Sequence, residues 1–214
     1  MGTNIERTIA FLKDQFDRSA FLADRPQDKK YRLEHTLRVA NIGRQIAQGE
    51  NLDEEALIIG CLLHDLSYAE VFHENDWRNH GRQAAKMARP FLETLDLSPE
   101  QIEEICYGIA IHVDDQADFP GERTPLALSI GDADNIDRFD VYRIHEHLSN
   151  SSFLTLSYEE QLQSVTELLS KLEKYKQLEF ATKTATDLWR DKVGFQIQFF
   201  TRLKAQLEAS VKLL

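Results

Sequence analysis

The sequence has little cysteine and no long apolar run. Its two cysteines, Cys61 and Cys106, lie among apolar neighbours, which predicts reduced core residues rather than a disulfide or a thiol nucleophile. The longest apolar run, Ala56 to Leu63, is too short to cross a bilayer even when Gly60 is counted as part of it. The first residues also lack the apolar segment of a signal peptide. These absences together predict a soluble, cytoplasmic protein.

Positive charge is scarce as well. The chain has 25 lysines and arginines against 36 aspartates and glutamates, which gives a formal net charge of −11. A nucleic-acid polymer or an anionic membrane surface binds to a basic face, so neither is expected as the main partner. A small anionic substrate is still compatible with this net charge, because a local cation or a few arginines can make the electrostatic potential inside one cleft positive.

Apolar residues recur at helical spacing along almost the whole chain. The stripes predict helices over about 3–18, 31–49 and 79–95, with N-caps at Asp53 and Ser98 and a new start at Thr124. A second capping box at Ser157 opens two long amphipathic helices. The pattern is typical of an all-α protein, and 42% hydrophobic residues suffice for a sizeable core. We expect one domain over 1–214, with a core of about 20–150 and integral helices over about 151–214.

Polar residues stand at the inner ends of these apolar stripes. The run Leu57 to Asp65 ends abruptly in His64-Asp65, and His35 lies in line with the buried face of its helix. His80 opens the next predicted helix, and His112 follows the one after it. Burying an imidazole and a carboxylate is costly unless each has a partner, and a divalent cation can partner both.

A dense group of carboxylates interrupts the helix after Thr124, in the sequence Gly-Asp-Ala-Asp-Asn-Ile-Asp. Asp132 and Asp134 face about 200° apart on a helix, so one of them is expected to look inward, and spacing alone does not say which. Together with the residues named above, this aspartate gives a ligand set suited to manganese, iron, zinc, nickel or magnesium, with positions open for water and substrate.

This set resembles the H…HD…D signature of the HD-domain superfamily, which comprises all-helical metal-dependent phosphohydrolases. The similarity continues through His35-Thr-Leu-Arg-Val, His80-Gly, Ile-Ala-Ile-His112 and the Asp-Ala-Asp stretch, in the order and spacing of a small bacterial branch, and it extends over the C-terminal helices. The resemblance implies a single-domain orthogonal helix bundle of the HD-domain type with a C-terminal extension of long helices.

The resemblance also implies roles for individual residues. The metal ligands carry over as His35, His64, Asp65 and Asp134, because Ala133-Asp134-x-Ile136 matches the family's Ala-Asp-x-Leu, with Asp132 as the runner-up. Two further histidines would bind a second ion or the substrate's phosphate, namely His80 and His112.

The implied reaction is hydrolysis of a phosphoester or phosphoanhydride in a small phosphorylated substrate, with a nucleotide favoured. A metal-activated water would attack, and Asp65 would orient that water or act as general base. Charge on the phosphoryl oxygens needs further cations, for which Arg38, one helical turn after His35, is the first candidate. Arg82 and Arg138 are weaker candidates.

One segment departs from the family pattern. Many members follow the His-Asp pair with Gly-Lys, whereas this chain continues with Leu66-Ser67-Tyr68. The missing lysine puts the substrate class in doubt more than metal binding. It also motivates an alternative function, a non-catalytic sensor that holds a metal and a nucleotide without turnover.

Each feature alone has a simpler structural explanation. His35 alone would be a satisfied core histidine, His64-Asp65 a helix end with a surface carboxylate, and His80 a neighbour of a helix cap. The aromatic residues near the C-terminus are interpreted as core or as the surface of a homodimer, and residues 157–214 alone would suit a helical scaffold. Coincidence at five positions in the right order is harder to explain, so a metal site is favoured.

Overall fold

The computed structural model describes residues 2–70 and 77–211. Within these ranges the chain forms α-helices and three short 3-10 helices and no strand, so the predicted all-α class is confirmed. The 3-10 helices are Leu66–Ala69, Trp77–Asn79 and Phe153–Thr155. The α-helices are α1 Asn4–Arg18, α2 Ala20–Ala23, α3 Pro26–Glu50, α4 Glu54–Leu63, α5 His80–Leu92, α6 Pro99–Ile111, α7 Pro125–Arg138, α8 Val141–Asn150, α9 Tyr158–Tyr175 and α10 Lys183–Ser210.

Local capping chemistry sets several of these helix starts. Thr3, Ser98 and Ser157 each form a complete capping box, in which the hydroxyl accepts a backbone N–H three residues on. Asp53 caps α4 by accepting the N–H of Ala56 at 3.0 Å. The starts predicted from Asp53, Ser98 and Ser157 are thereby confirmed, because a cap depends only on residues close in sequence.

Other boundaries differ from the prediction. Helix α3 begins at Pro26 rather than near residue 31, with the proline at its first position, where its missing N–H costs nothing. The short helices α2 and α8 were not predicted. The polar segment expected over 67–79 includes residues 71–76, which lie outside the described residues.

The chain divides into two compact units. The first unit runs up to Asp137 and includes Ala181–Ala185, and the second comprises Arg138–Phe180 and the chain from Thr186 onward. The single domain over 1–214 stays a prediction. No described helix combines the length and the apolar character that crossing a membrane requires.

The first unit is built around α4. Every residue of α4 from Ala56 to Leu63 is buried, and the helix packs against α1, α3 and α6. A helix that is apolar on all sides must be enclosed on all sides. The residues that follow it, His64 and Asp65, are therefore held at the end of a fixed, buried element.

Glycines allow α5, α6 and α7 to approach each other closely. A Cβ atom on Gly108 of α6 would lie 2.7 Å from the carbonyl oxygen of Ala127 in α7, and one on Gly81 of α5 would lie 2.8 Å from that of Ala110 in α6. Larger residues would hold these backbones apart. The contact at Gly81 sets His80, beside it, next to the end of α6 and thus next to His112.

The second unit has an aromatic core. The ring of Trp189 in α10 lies 4.7 Å from that of Phe139 and 5.0 Å from that of Phe180. Its indole N–H donates to the carbonyl oxygen of Tyr175 at 2.6 Å, which satisfies the polar atom of a side chain that is 2% exposed.

Candidate metal centre

Three helices of the first unit bring the four predicted metal ligands together. His35 comes from α3, His64 and Asp65 follow the last turn of α4, and Asp134 comes from α7. One ligand atom from each of His35, His64 and Asp134 lies within 4.8 Å of the others, and the same holds for His64, Asp65 and His112. His112 follows the last turn of α6 and His80 is the first residue of α5.

Both nitrogens of His35 face carboxylates from α7. Nε2 lies 3.1 Å from Oδ1 of Asp134, and Nδ1 donates to Oδ2 of Asp137 at 2.7 Å. Burial alone would lower the pKa of His35, but the hydrogen bonds to Asp134 and Asp137 outweigh it and raise this pKa to about 9. Without a cation, the ring therefore holds a proton on the nitrogen that faces Asp134.

Backbone carbonyls fix the other three imidazoles in one tautomer. Nδ1 of His64 donates to the carbonyl oxygen of Cys61 at 2.7 Å, Nδ1 of His112 donates to that of Ile109 at 2.7 Å, and Nδ1 of His80 donates to that of Trp77. A carbonyl oxygen can only accept, so Nδ1 is the protonated nitrogen in each ring. Each neutral ring therefore presents the lone pair of Nε2, the form in which histidine binds metals.

These lone pairs converge on acceptors rather than donors. Nε2 of His80 lies 3.0 Å from Nε2 of His112 and 3.3 Å from Oδ1 of Asp65. Nε2 of His64 is fully buried and has no hydrogen-bond partner among the described residues; its nearest carboxylate oxygens are 3.6 and 3.8 Å away, on Asp65 and Asp134.

A buried acceptor without a donor is costly, and a divalent cation would partner Nε2 of His64 together with the carboxylates beside it. The residues present therefore fit such a cation, with His35, His64, Asp65 and Asp134 able to hold it. Nitrogen and carboxylate donors of this kind suit zinc, manganese, iron or nickel.

The carboxylates are held ionised despite their burial. Burial alone would raise the pKa of Asp134, but its bond to His35 and the nearby His64 lower it to about 2. The pKa of Asp65 is also held well below its ordinary value, since His64, His80 and Arg32 outweigh its burial. By contrast, burial and the neighbouring His64 lower the pKa of His112 to about 4.

Helical spacing does not decide whether Asp132 or Asp134 faces inward, and the structure gives the two aspartates different environments. Asp134 is buried in the cluster, whereas Oδ2 of Asp132 accepts the backbone N–H of Ala181 at 2.9 Å. Desolvation raises the pKa of Asp132 to about 6. The position of Asp134 thus supports it as the ligand, and Asp132 ties residue 181 to α7.

Two of the three arginines predicted to stabilise phosphoryl charge already have acidic partners. Arg38 donates to both carboxylate oxygens of Asp137, at 2.8 and 3.1 Å, and Arg82 donates to both oxygens of Asp114, at 2.9 and 3.1 Å. Arg138 is exposed. The roles of these three arginines stay predictions.

Two residues that the sequence did not single out adjoin the site. Asp137 orients His35 from behind, and Nη1 of Arg32 donates to Oδ2 of Asp65 at 2.9 Å. Both carry a helical signal: Asp137 stands three residues after Asp134, and Arg32 stands three before His35. Residues three apart lie on the same face of a helix. This spacing does not distinguish Arg32 from Arg38, because Arg38 stands three residues after His35.

Comparison with known proteins relates the chain to one family. A family model described as HD domain matches residues 32–139, just over half of the 214 residues. The crystal structure of a predicted HD superfamily hydrolase from an uncultured Thermotogales bacterium is similar over 95% of this chain and 93% of that one. It has a TM-score of 0.64 and 21% sequence identity, a likeness that shows a shared fold. No curated protein matches.

Proposed function

The chain belongs to the HD-domain family, and from this premise we propose that it is a metal-dependent phosphohydrolase. Family membership supports metal-dependent hydrolysis in general. We propose more specifically that the protein cleaves a phosphoester or phosphoanhydride bond in a small phosphorylated molecule, with a nucleotide as the favoured class. The observation that carries this is Nε2 of His64, a buried lone pair whose surroundings are other acceptors.

The metal would be held by His35, His64, Asp65 and Asp134. When bound, a divalent cation supplies Lewis acidity: it polarises a phosphoryl oxygen and lowers the pKa of a water molecule toward neutrality. Asp137 keeps His35 oriented through Nδ1, and the carbonyl oxygen of Cys61 does the same for His64. These outer bonds fix which nitrogen of each ring faces the site.

Asp65 is placed to serve two neighbours at once. Its Oδ2 accepts from Arg32 and lies 3.6 Å from His64, while its Oδ1 lies 3.3 Å from Nε2 of His80. One oxygen can therefore face the cation while the other orients a water molecule or receives its proton. Arg32 neutralises part of the charge that would otherwise build up on this carboxylate.

His80 and His112 would act on the other side of Asp65. Because Nδ1 of each ring donates to a carbonyl, Nε2 is an acceptor in the neutral ring and suits a second cation or a water better than a phosphate oxygen. Contact with phosphate would instead need a protonated Nε2 that donates to a phosphate oxygen rather than to the other Nε2, which lies 3.0 Å away.

Metal content and turnover measured together test the proposal. Purified protein is loaded with manganese and assayed against phosphomonoesters, phosphodiesters and nucleoside triphosphates, with and without chelator. We expect chelator-sensitive release of phosphate or pyrophosphate. Stoichiometric metal and nucleotide binding without any turnover would contradict the enzyme and support the sensor that the missing lysine suggests. Absence of bound metal would contradict both.

A further inference from the structure

A cavity of about 370 Å³ lies in the first unit beside the candidate metal centre. Its walls come from α2, from the first part of α3 and from the 3-10 helix after Asp65. The volume falls within the range of roughly 300–1,000 Å³ usual for small-molecule sites. The residues lining it are Phe21, Leu22, Asp28, Tyr31, Arg32 and Tyr68.

Three wall residues also contact the metal centre. Arg32 donates to Asp65 at 2.9 Å, the ring of Tyr31 is parallel to that of His35 with centroids 6.0 Å apart, and the ring of Tyr68 lies 5.2 Å from that of His80. A molecule whose reacting group occupies the metal centre therefore has this cavity as its neighbour.

Arg32 forms the boundary between the two sites. Its guanidinium carbon lies 3.4 Å from the centroid of the Tyr68 ring and 5.6 Å from that of Tyr31, while one of its nitrogens donates to Asp65. An arginine whose guanidinium is held by both an aromatic ring and a carboxylate loses little freedom when a ligand arrives. The same side chain can thus face a ring on one side and phosphoryl charge on the other.

The chemistry of the walls favours a flat, unsaturated ring. Aromatic side chains and a guanidinium plane bind π systems by stacking, and they do so with any base, because every base has a π face. The carboxylate of Asp28 adds an acceptor for N–H groups. A phosphorylated sugar or an inorganic polyphosphate has no π face that could stack on these side chains.

We propose that this cavity binds the planar, nitrogen-containing ring of the substrate, with Tyr31 and Tyr68 as specificity-determining residues. The inference rests on the proposed phosphohydrolase function, since it assigns the part of the substrate that is not phosphate. It also gives a use to the segment Leu66-Ser67-Tyr68, where the chain departs from the family's Gly-Lys: Tyr68 supplies a ring surface instead of a cation.

The test compares substrates that differ only in the ring. A nucleoside triphosphate is paired with inorganic tripolyphosphate, and a nucleoside 5′-monophosphate with ribose 5-phosphate. Variants Tyr68→Leu and Tyr31→Leu remove a ring, Tyr68→Phe retains it, and Tyr107→Leu removes a tyrosine of the first unit that does not line the cavity.

We expect Tyr68→Leu and Tyr31→Leu each to lower kcat/KM for the ring-bearing substrate by roughly 10- to 100-fold, the usual loss per stacked base. The partner substrate without a ring should change by less than about 3-fold, and Tyr107→Leu should match the wild type on both. Tyr68→Phe, which retains the ring, should keep the preference for the ring-bearing substrate. An equal loss on both members of a pair would mean that Tyr68 only supports Arg32 and Asp65, which would overturn the inference.

The two proposals fail in different ways. If the wild-type protein hydrolyses no substrate, the proposed function is wrong, and calorimetric titration still tests the cavity. The nucleoside monophosphate should then bind at least about 10-fold more tightly than ribose 5-phosphate, and Tyr68→Leu should remove the difference. If substrates without a ring are cleaved as well as their partners, the function stands and the cavity assignment is overturned.

Discussion

The two units of the molecule bury different things. In the first, ionisable side chains are enclosed: His35, His64, Asp65 and Asp134 are all less than 9% exposed. In the described part of the second unit, the buried polar residues are uncharged, as with Gln196, and rings such as Trp189 fill the core. Both units have complete capping boxes and amphipathic helices, so the two units do not differ in how their helices are stabilised locally.

The difference lies in what burial costs. Burying an apolar aromatic ring stabilises the folded state. Burying a charged group destabilises it unless every hydrogen-bonding or ionic partner is in place. The first unit surrounds its buried carboxylates with fixed partners, and Nε2 of His64 is one of its buried polar atoms that has no hydrogen bond among the described residues. Five predictions test whether this contrast is functional, in order of decreasing effect.

The largest effect is expected from removing a ligand. His64→Ala should abolish stoichiometric metal binding and lower hydrolysis by more than about 100-fold, since even groups behind metal ligands are worth about 10- to 100-fold. His147→Ala, in the second unit, is the matched control. Metal content by mass spectrometry and phosphate release check both variants. Equal metal content in His64→Ala and wild type would show that the buried ionisable side chains of the first unit do not serve metal binding.

A smaller effect is expected from changing a residue that hydrogen-bonds to a predicted metal ligand. Asp137→Asn weakens the bond that orients Nδ1 of His35 and should lower metal affinity by about 10- to 100-fold. Asp140→Asn removes a carboxylate of the second unit that caps α8 and pairs with Lys192 at 2.7 Å. Manganese titration of both proteins measures the difference. An unchanged manganese affinity in Asp137→Asn would show that metal binding does not depend on the hydrogen bond between Asp137 and His35.

Two glycines should respond in opposite directions to the same change. Gly108→Ala forces a Cβ to within 2.7 Å of a carbonyl oxygen in α7 and should lower the free energy of unfolding by about 1–3 kcal/mol. Gly194→Ala, in α10, adds a Cβ with no atom within 4 Å and should raise it by up to about 1 kcal/mol. Denaturant unfolding followed by circular dichroism gives both values. Stabilisation by Gly108→Ala would mean that α6 and α7 are not tightly packed.

At their surfaces the two units should behave alike. Glu103→Gln breaks an ion pair with Arg89 in the first unit, and Glu208→Gln breaks one with Lys204 in the second. Each should change the free energy of unfolding by less than about 1 kcal/mol, because such pairs are screened by water. A loss above 2 kcal/mol in either unit would show that surface charge also distinguishes them.

The contribution of Glu103 also has a predictable pH dependence. The hydrogen bond from Arg89 lowers the pKa of Glu103 below its ordinary value of 4.5. The stabilisation is therefore present above pH 4.5 and is lost as the pH falls through the lowered pKa. The difference in unfolding free energy between wild type and Glu103→Gln should shrink over that range, and denaturant titrations at pH 7 and pH 3 measure it.

Local features of the fold could be predicted from the sequence. Ser98 and Ser157 begin helices because their hydroxyls bond to backbone groups three residues away, and no distant contact is involved. The apolar stripe predicts the start of α3 about five residues too late, because the helix begins at Pro26, before the stripe begins. Short elements such as α8 have too few residues for a periodic pattern to be decisive.

The site was predictable in its members but not in its pairings. The position of His64 and Asp65 after an apolar helix follows from the sequence, and the family resemblance favoured Asp134. Which arginine approaches Asp65 depends on side-chain reach in three dimensions. Arg32 and Arg38 each stand three residues from His35, and only the structure separates them, by an acidic partner on each side: Asp65 for Arg32 and Asp137 for Arg38.

One feature of α7 limits how this chain can vary in length. Asp134 and Asp137 contact the two nitrogens of the same ring, at 3.1 and 2.7 Å, from positions three residues apart. Inserting or deleting one residue between them would rotate one carboxylate by about 100° and release that nitrogen. Relatives of this chain should therefore tolerate insertions in the loop before α7, around Asp118, and none within these four residues of the helix.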